Sequence, residues 1–221
     1  MSATSNAPAT KAPSNPRPRR GQTQREGVRL LVGIVAVMWV LEIINTADSN
    51  GLDGDGIYAR NLGRLWGILT APLIHASFGH LISNTIPLVF MGAIIALHGA
   101  ARLGLVTAIV VVLGGLGTWL ISPSGVSTIG ASGLVFGYAT YLLARGFFDR
   151  SLLELLTGLI VGAIWGTVLI ASLVPQQHIS WQGHLSGAIA GVIAAYLLRR
   201  ERPAAGKRRR DAGPSAGALA E

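Results

Sequence analysis

Residues 129–138 read Ile129-Gly130-Ala131-Ser132-Gly133-Leu134-Val135-Phe136-Gly137-Tyr138. A serine set between small residues opens an apolar run. From Ser132 to the next charge, Arg145, is 13 residues, about 20 Å of helix at ~1.5 Å per residue. A hydrocarbon core is about 30 Å thick. If Arg145 marks one boundary, Ser132 lies roughly 10 Å below the other. The segment before it, Ser122 to Ala131, must then dip into the membrane. Irregular backbone at that depth is tolerated only where protein buries it or a wet cavity borders it. The stretch therefore predicts an aqueous recess above Ser132.

The rest of the chain fits a membrane setting. Half of the 221 residues are hydrophobic and 13% are charged, against about 25% charged in a soluble domain. Apolar segments at 28–46, 80–98, 103–121, 132–144, 152–173 and 182–198 predict six spans in an all-α, polytopic bundle over residues 28–198. Residues 1–27 are expected to be a disordered basic tail, and 199–221 a basic and then Gly/Ala-rich one. With both tails inside, 16 of the 18 Lys and Arg fall on the inner side; Arg60 and Arg64 alone fall outside. That split predicts cytoplasmic termini. The net charge of +8 sits largely in the tails, where topology and anionic lipid explain it better than nucleic acid. The chain has no cysteine, which excludes disulfides and a thiol nucleophile.

Polar residues inside spans tend to be functional. In this topology spans two, four and six all start on the outer side. They open with His80 and Asn84, with Ser132, and with Gly183-His184-Leu185-Ser186-Gly187. Three polar groups distant in sequence thus share one leaflet. Ser132 is the candidate nucleophile, at a helix start where free N–H groups favour an oxyanion; the competing reading is a helix N-cap. His184 is the candidate general base. Gly187 and Gly191 on its face, with Gly133 and Gly137 on span four, allow close helix packing; the competing reading is a packing histidine bonded to a carbonyl. His80 and Asn84 lie at i and i+4 and can both donate to an oxyanion; the competing reading is an interhelical clamp. Phe136 is placed to stack on His184. His75 reads as structural. His98 and His178 receive no role. No carboxylate is placed as a third triad member, so a Ser–His dyad is expected. No metal or cofactor is expected.

These residues resemble the rhomboid family of intramembrane serine proteases over about residues 60–198. The resemblance rests on Gly130-Ala-Ser132-Gly133, on Gly183-His184-x-x-Gly187-x-x-x-Gly191, and on His80-x-x-x-Asn84 preceded by Trp66 and His75. It implies a Ser132–His184 dyad and oxyanion binding by His80, Asn84 and the Ser132 N–H. It also implies a fifth span that gates entry of transmembrane protein substrates from the bilayer. Two departures are Gly67, where the family often has arginine, and Ala96 and Ala100, where a second-span glutamate between glycines is common. A non-catalytic rhomboid-like module that binds or extracts membrane proteins, and a small transporter or channel, are the alternatives.

Overall fold

The computed structural model describes residues 20–176 and 179–200. Among them the regular structure is helical: α1 (Arg20–Ala47), α2 (Gly67–Thr70), α3 (Phe78–Ala96), α4 (Ala100–Ile109), α5 (Gly115–Ile121), α6 (Ser132–Asp149), α7 (Leu152–Ala171) and α8 (Trp181–Leu197). A π-helical turn, Val110–Gly114, joins α4 to α5 into one long rod. Four segments are long and apolar enough to cross a membrane: α1, α3, the α4–α5 rod and α7. The other two long helices, α6 and α8, are shorter, at 18 and 17 residues. They carry the serine and the histidine, and they form the middle of an all-helical membrane bundle.

Two boundaries differ most from expectation. α1 begins at Arg20, so residues 20–27 belong to a helix and not to the tail. Gly27 there lies against the Ala96 carbonyl, close enough that a Cβ would come within 2.5 Å of the oxygen. Helix α6 continues past Arg145 to Asp149. Arg145 is only 2% exposed and marks no water boundary. It bonds Asp149 at 3.3 Å and Glu154 at 2.9 Å, and lies 3.2 Å from His98. Buried charges survive only when paired in this way. Residues 1–19 and 201–221, most of both tails, and His178 lie outside the described residues.

Glycine sets the spacing at the centre. A Cβ on Gly187 would sit 2.1 Å from the Gly133 carbonyl oxygen, and one on Gly191 2.1 Å from that of Gly137. Helices α6 and α8 therefore cross backbone to backbone. In lipid, where apolar side chains gain little by leaving the solvent, such close van der Waals contact is what holds helices together. Thr140 Oγ1 adds a bond across the seam to the Ala188 carbonyl, 2.8 Å. The π-turn brings Val110 against Gly137 and Gly114 against Gly187. A single inserted residue of this kind re-aims a helix face without breaking it.

The long connection from 48 to 77 clamps the segment before Ser132. Ile57 and Thr128 form an antiparallel bridge. Ser127 Oγ donates to the Asp53 carbonyl, 2.7 Å, and Arg60 donates to the carbonyls of Leu120 and Ser122. Arg64 bonds the Gly54 carbonyl and Asp55 and lies over the rings of Tyr58 and Trp66. Gly67 is required where it stands: a Cβ would lie 2.2 Å from the Gly56 carbonyl oxygen.

Candidate active site

Helix starts place the three polar groups. Ser77 caps α3 by accepting from the His80 N–H, 3.2 Å. Ser180 caps α8 by accepting from the Gly183 N–H, 3.2 Å, so His184 lies in the first turn. Helix α6 is different. Its cap position is Ala131, with no side-chain bond, and Ser132 is the first helical residue. Ser132 is therefore not the N-cap, which removes the commonest structural reason for a serine here. At that position its backbone N–H has no intrahelical acceptor.

His184 is 6% exposed. Its ring stacks on Phe136, centroids 4.4 Å apart and planes within 9°. Nδ1 lies 2.9 Å from the Ser172 carbonyl oxygen. A carbonyl only accepts, so Nδ1 carries the proton and Nε2 is the free basic nitrogen. The carbonyl contact of the competing reading is thus present, yet it uses one nitrogen and leaves the other for chemistry. Ser172 caps the end of α7. No sequence pattern marks this acceptor, because any residue could supply a backbone carbonyl.

His80 and Asn84 converge on the turn before the serine. Gly130 has φ +111°, and a Cβ there would come within 2.6 Å of His80 Nε2 and 3.6 Å of Asn84 Nδ2. Both nitrogens therefore face the backbone two residues ahead of Ser132. Asn84 Nδ2 is buried without a hydrogen-bond partner. An unpaired buried donor costs about 1–3 kcal/mol, which is tolerable where a ligand completes it. An amide left open in this way is no interhelical clamp.

His75 is structural, as its position in the sequence suggested. It is fully buried, and its Nε2 accepts from the Ala131 N–H at 3.2 Å. Its carbonyl accepts from Asn45 Nδ2, 3.0 Å, which also bonds Asp53. Burial, with the neighbouring His80 adding to it, pushes the His75 ring down to about 4, so it stays neutral and keeps its acceptor nitrogen. The Gly130 N–H donates to the Ala71 carbonyl, 2.8 Å. Two successive peptides ahead of the serine are thus fixed by the connecting loop. The only sequence signal was the spacing of His75 five residues before His80.

A cavity of about 50 Å³ lies at this point, bordered by Ser132, Gly130, Ile129, Gly183, Gly187 and Thr118. It has room for water beside the serine, and His184, His80 and Asn84 are not among the residues that border it. Ser132 and His184 flank the glycine crossing, and no direct hydrogen bond joins their side chains. Catalytic contacts of this kind commonly tighten only with substrate bound. Gly133 packs on Gly187, Phe136 on His184, and His80 and Asn84 on Gly130, two residues before Ser132; His98 and Glu154 lie in the distant ionic cluster.

The rhomboid domain profile matches residues 62–201. An uncharacterized protein of Mycobacterium tuberculosis is 41% identical over 202 residues, covering 86% of this chain and 84% of its own length. An uncharacterized protein of Mycobacterium leprae is 42% identical over 179 residues, 78% of this chain and 71% of its own. The rhomboid protease GluP of Bacillus subtilis is 28% identical over 182 residues, 76% of this chain and 34% of its own.

Proposed function

The chain belongs to the rhomboid family, and from that premise we propose that it is a serine endopeptidase that hydrolyses peptide bonds in or next to transmembrane segments of membrane proteins. One observation carries the reading: His184 is stacked on Phe136 and tied through Nδ1 to Ser172. His184 stands one turn before Gly187, which crosses the backbone of Gly133, the residue after Ser132. A base held in one tautomer beside an uncapped serine is what nucleophilic attack requires.

In the proposed reaction His184 Nε2 takes the hydroxyl proton as Ser132 Oγ adds to the scissile carbonyl. The oxyanion is received by the Ser132 N–H, Asn84 Nδ2 and His80. Such donors supply the largest share of acyl-transfer catalysis. His184 then donates its proton to the departing amine, and water enters to release the acyl-enzyme through the same base. The turn that carries the Ser132 N–H is held by His75 and the Ala71 carbonyl before substrate arrives. As the resemblance to the family implies, substrate would enter from the bilayer past the fifth span, α7. A helical substrate must also unwind locally to expose a carbonyl, which favours segments weakened by Gly or Pro. The arginine distribution supports cytoplasmic termini in a bacterial plasma membrane, with the site opening outward.

The test is cleavage of a model transmembrane substrate by the full chain in proteoliposomes. Ser132→Ala and His184→Ala are each expected to abolish it while keeping the wild-type unfolding temperature. Undiminished cleavage by Ser132→Ala rejects the mechanism. A folded wild-type protein that binds such substrates without cutting any of them favours the non-catalytic alternative.

A further inference from the structure

A cavity of about 690 Å³ lies at the other end of the bundle from Ser132. The end of α6, the start of α7 and the end of α8 enclose it. Phe147, Leu152, Leu155 and Tyr196 give it apolar walls, and Arg150 and Arg199 stand at its rim. Phe147 is 74% exposed and Leu152 71%, so the apolar surface opens sideways, where bilayer surrounds the protein.

Among the described residues the charge at the rim is uncompensated. The carboxylates behind it, Asp149 and Glu154, are spent on Arg145, His98 and the Arg200 N–H. Arg199 donates to the Tyr196 carbonyl and lies 4.0 Å over the Tyr196 ring, which fixes its position without cancelling its charge. The Arg150 side chain is exposed and has no hydrogen-bond or ion-pair partner among the described residues. Arg150 also holds a left-handed backbone, φ 48° and ψ 43°. Glycine adopts that conformation freely and arginine does not. The strain points to a use for the guanidinium.

We propose that this groove is a binding site for one anionic phospholipid, its phosphate between Arg150 and Arg199 and an acyl chain along Phe147, Leu152 and Leu155. Charge complementarity selects this occupant. A zwitterionic lipid offers less net charge, and the chain's own tails, with Arg202 and Lys207 to Arg210, are basic and are repelled. The site is independent of the protease reading. Its lipid would bridge the α6–α7 turn to the end of α8 and so steady the start of α7.

Native mass spectrometry of the full chain tests the proposal, with phosphatidylglycerol, phosphatidylcholine and inorganic phosphate as separate probes. Phosphatidylglycerol is expected to remain bound where phosphatidylcholine does not, and phosphate alone to leave no adduct. Arg150→Gly and Arg199→Gln should each weaken phosphatidylglycerol retention about fivefold. Arg150→Gly relieves the backbone, so its unfolding temperature should hold or rise, which separates lost binding from lost folding. Equal retention by Arg150→Gly and wild type overturns the proposal. So does equal retention of the two lipids, or a phosphate adduct as strong as the lipid's.

Discussion

Gly187→Ala is the most informative single substitution. The new methyl would lie 2.1 Å from the Gly133 carbonyl oxygen, 2.8 Å from its carbon and 2.9 Å from its Cα. Ordinary contact needs more than ~3 Å, and all three atoms are backbone, so no rotamer change relieves the clash. Helix α8 must retreat from α6 by about 1 Å. His184 lies one turn away on α8 and Ser132 is bonded to Gly133, so the retreat widens the dyad directly. Misplacement of reacting groups by about 1 Å costs on the order of 10²-fold in rate. The strain itself should cost about 1–3 kcal/mol of stability. The control is Gly183→Ala, on the same helix and beside the same histidine. Its methyl would meet Ser180 Oγ at 3.3 Å and Thr118 Oγ1 at 3.7 Å, which is tolerable. Cleavage kinetics in proteoliposomes and thermal unfolding should show a collapse of kcat in Gly187→Ala and a near-normal Gly183→Ala. Equal activity in the two variants would refute the close crossing as the source of dyad geometry.

Asn84→Ala should lower kcat about 10²-fold with little change in KM. Its unfolding temperature should not fall, because the amide is buried without a partner at rest. Arg145→Ala strands Asp149 and Glu154 and should destabilise the fold by about 3–5 kcal/mol; an Arg145→Met, Glu154→Gln double variant should recover part of that in the same melts. His75 takes up a proton in the unfolded chain near its usual value, but in the folded chain only near 4. Stability conferred by neutral His75 is therefore complete above about pH 6.5 and is lost as the pH falls toward 4. The unfolding temperature should fall across that window, and His75→Gln, which keeps an acceptor but does not titrate, should flatten the slope.

The helices were legible because apolar length and charge placement are one-dimensional signals. The candidate site was legible as a placement, because Ser132, His184, His80 and Asn84 all stand at helix starts, and topology alone gathers those starts at one end. What escaped notice was carried by backbone or by burial. The Ser172 carbonyl that fixes the His184 tautomer has no side-chain signature. The π-turn at Val110–Gly114 sits in an uninterrupted apolar run. Arg145 read as a boundary because a lone arginine after an apolar stretch usually is one; only the fold reveals Asp149, Glu154 and His98 around it. With α6 reaching Asp149, the serine sits about 26 Å along the helix from that end, and the loop before it is clamped by Ile57, Arg60 and Asp53.

The central claim is that His184 activates Ser132. Intact-mass and peptide mapping of the folded chain after reaction with a fluorophosphonate tests it most directly. A single adduct on Ser132, absent from Ser132→Ala and strongly slowed in His184→Ala, is the expected outcome. An adduct on another residue, or one that forms on Ser132 equally fast without the imidazole, would contradict it.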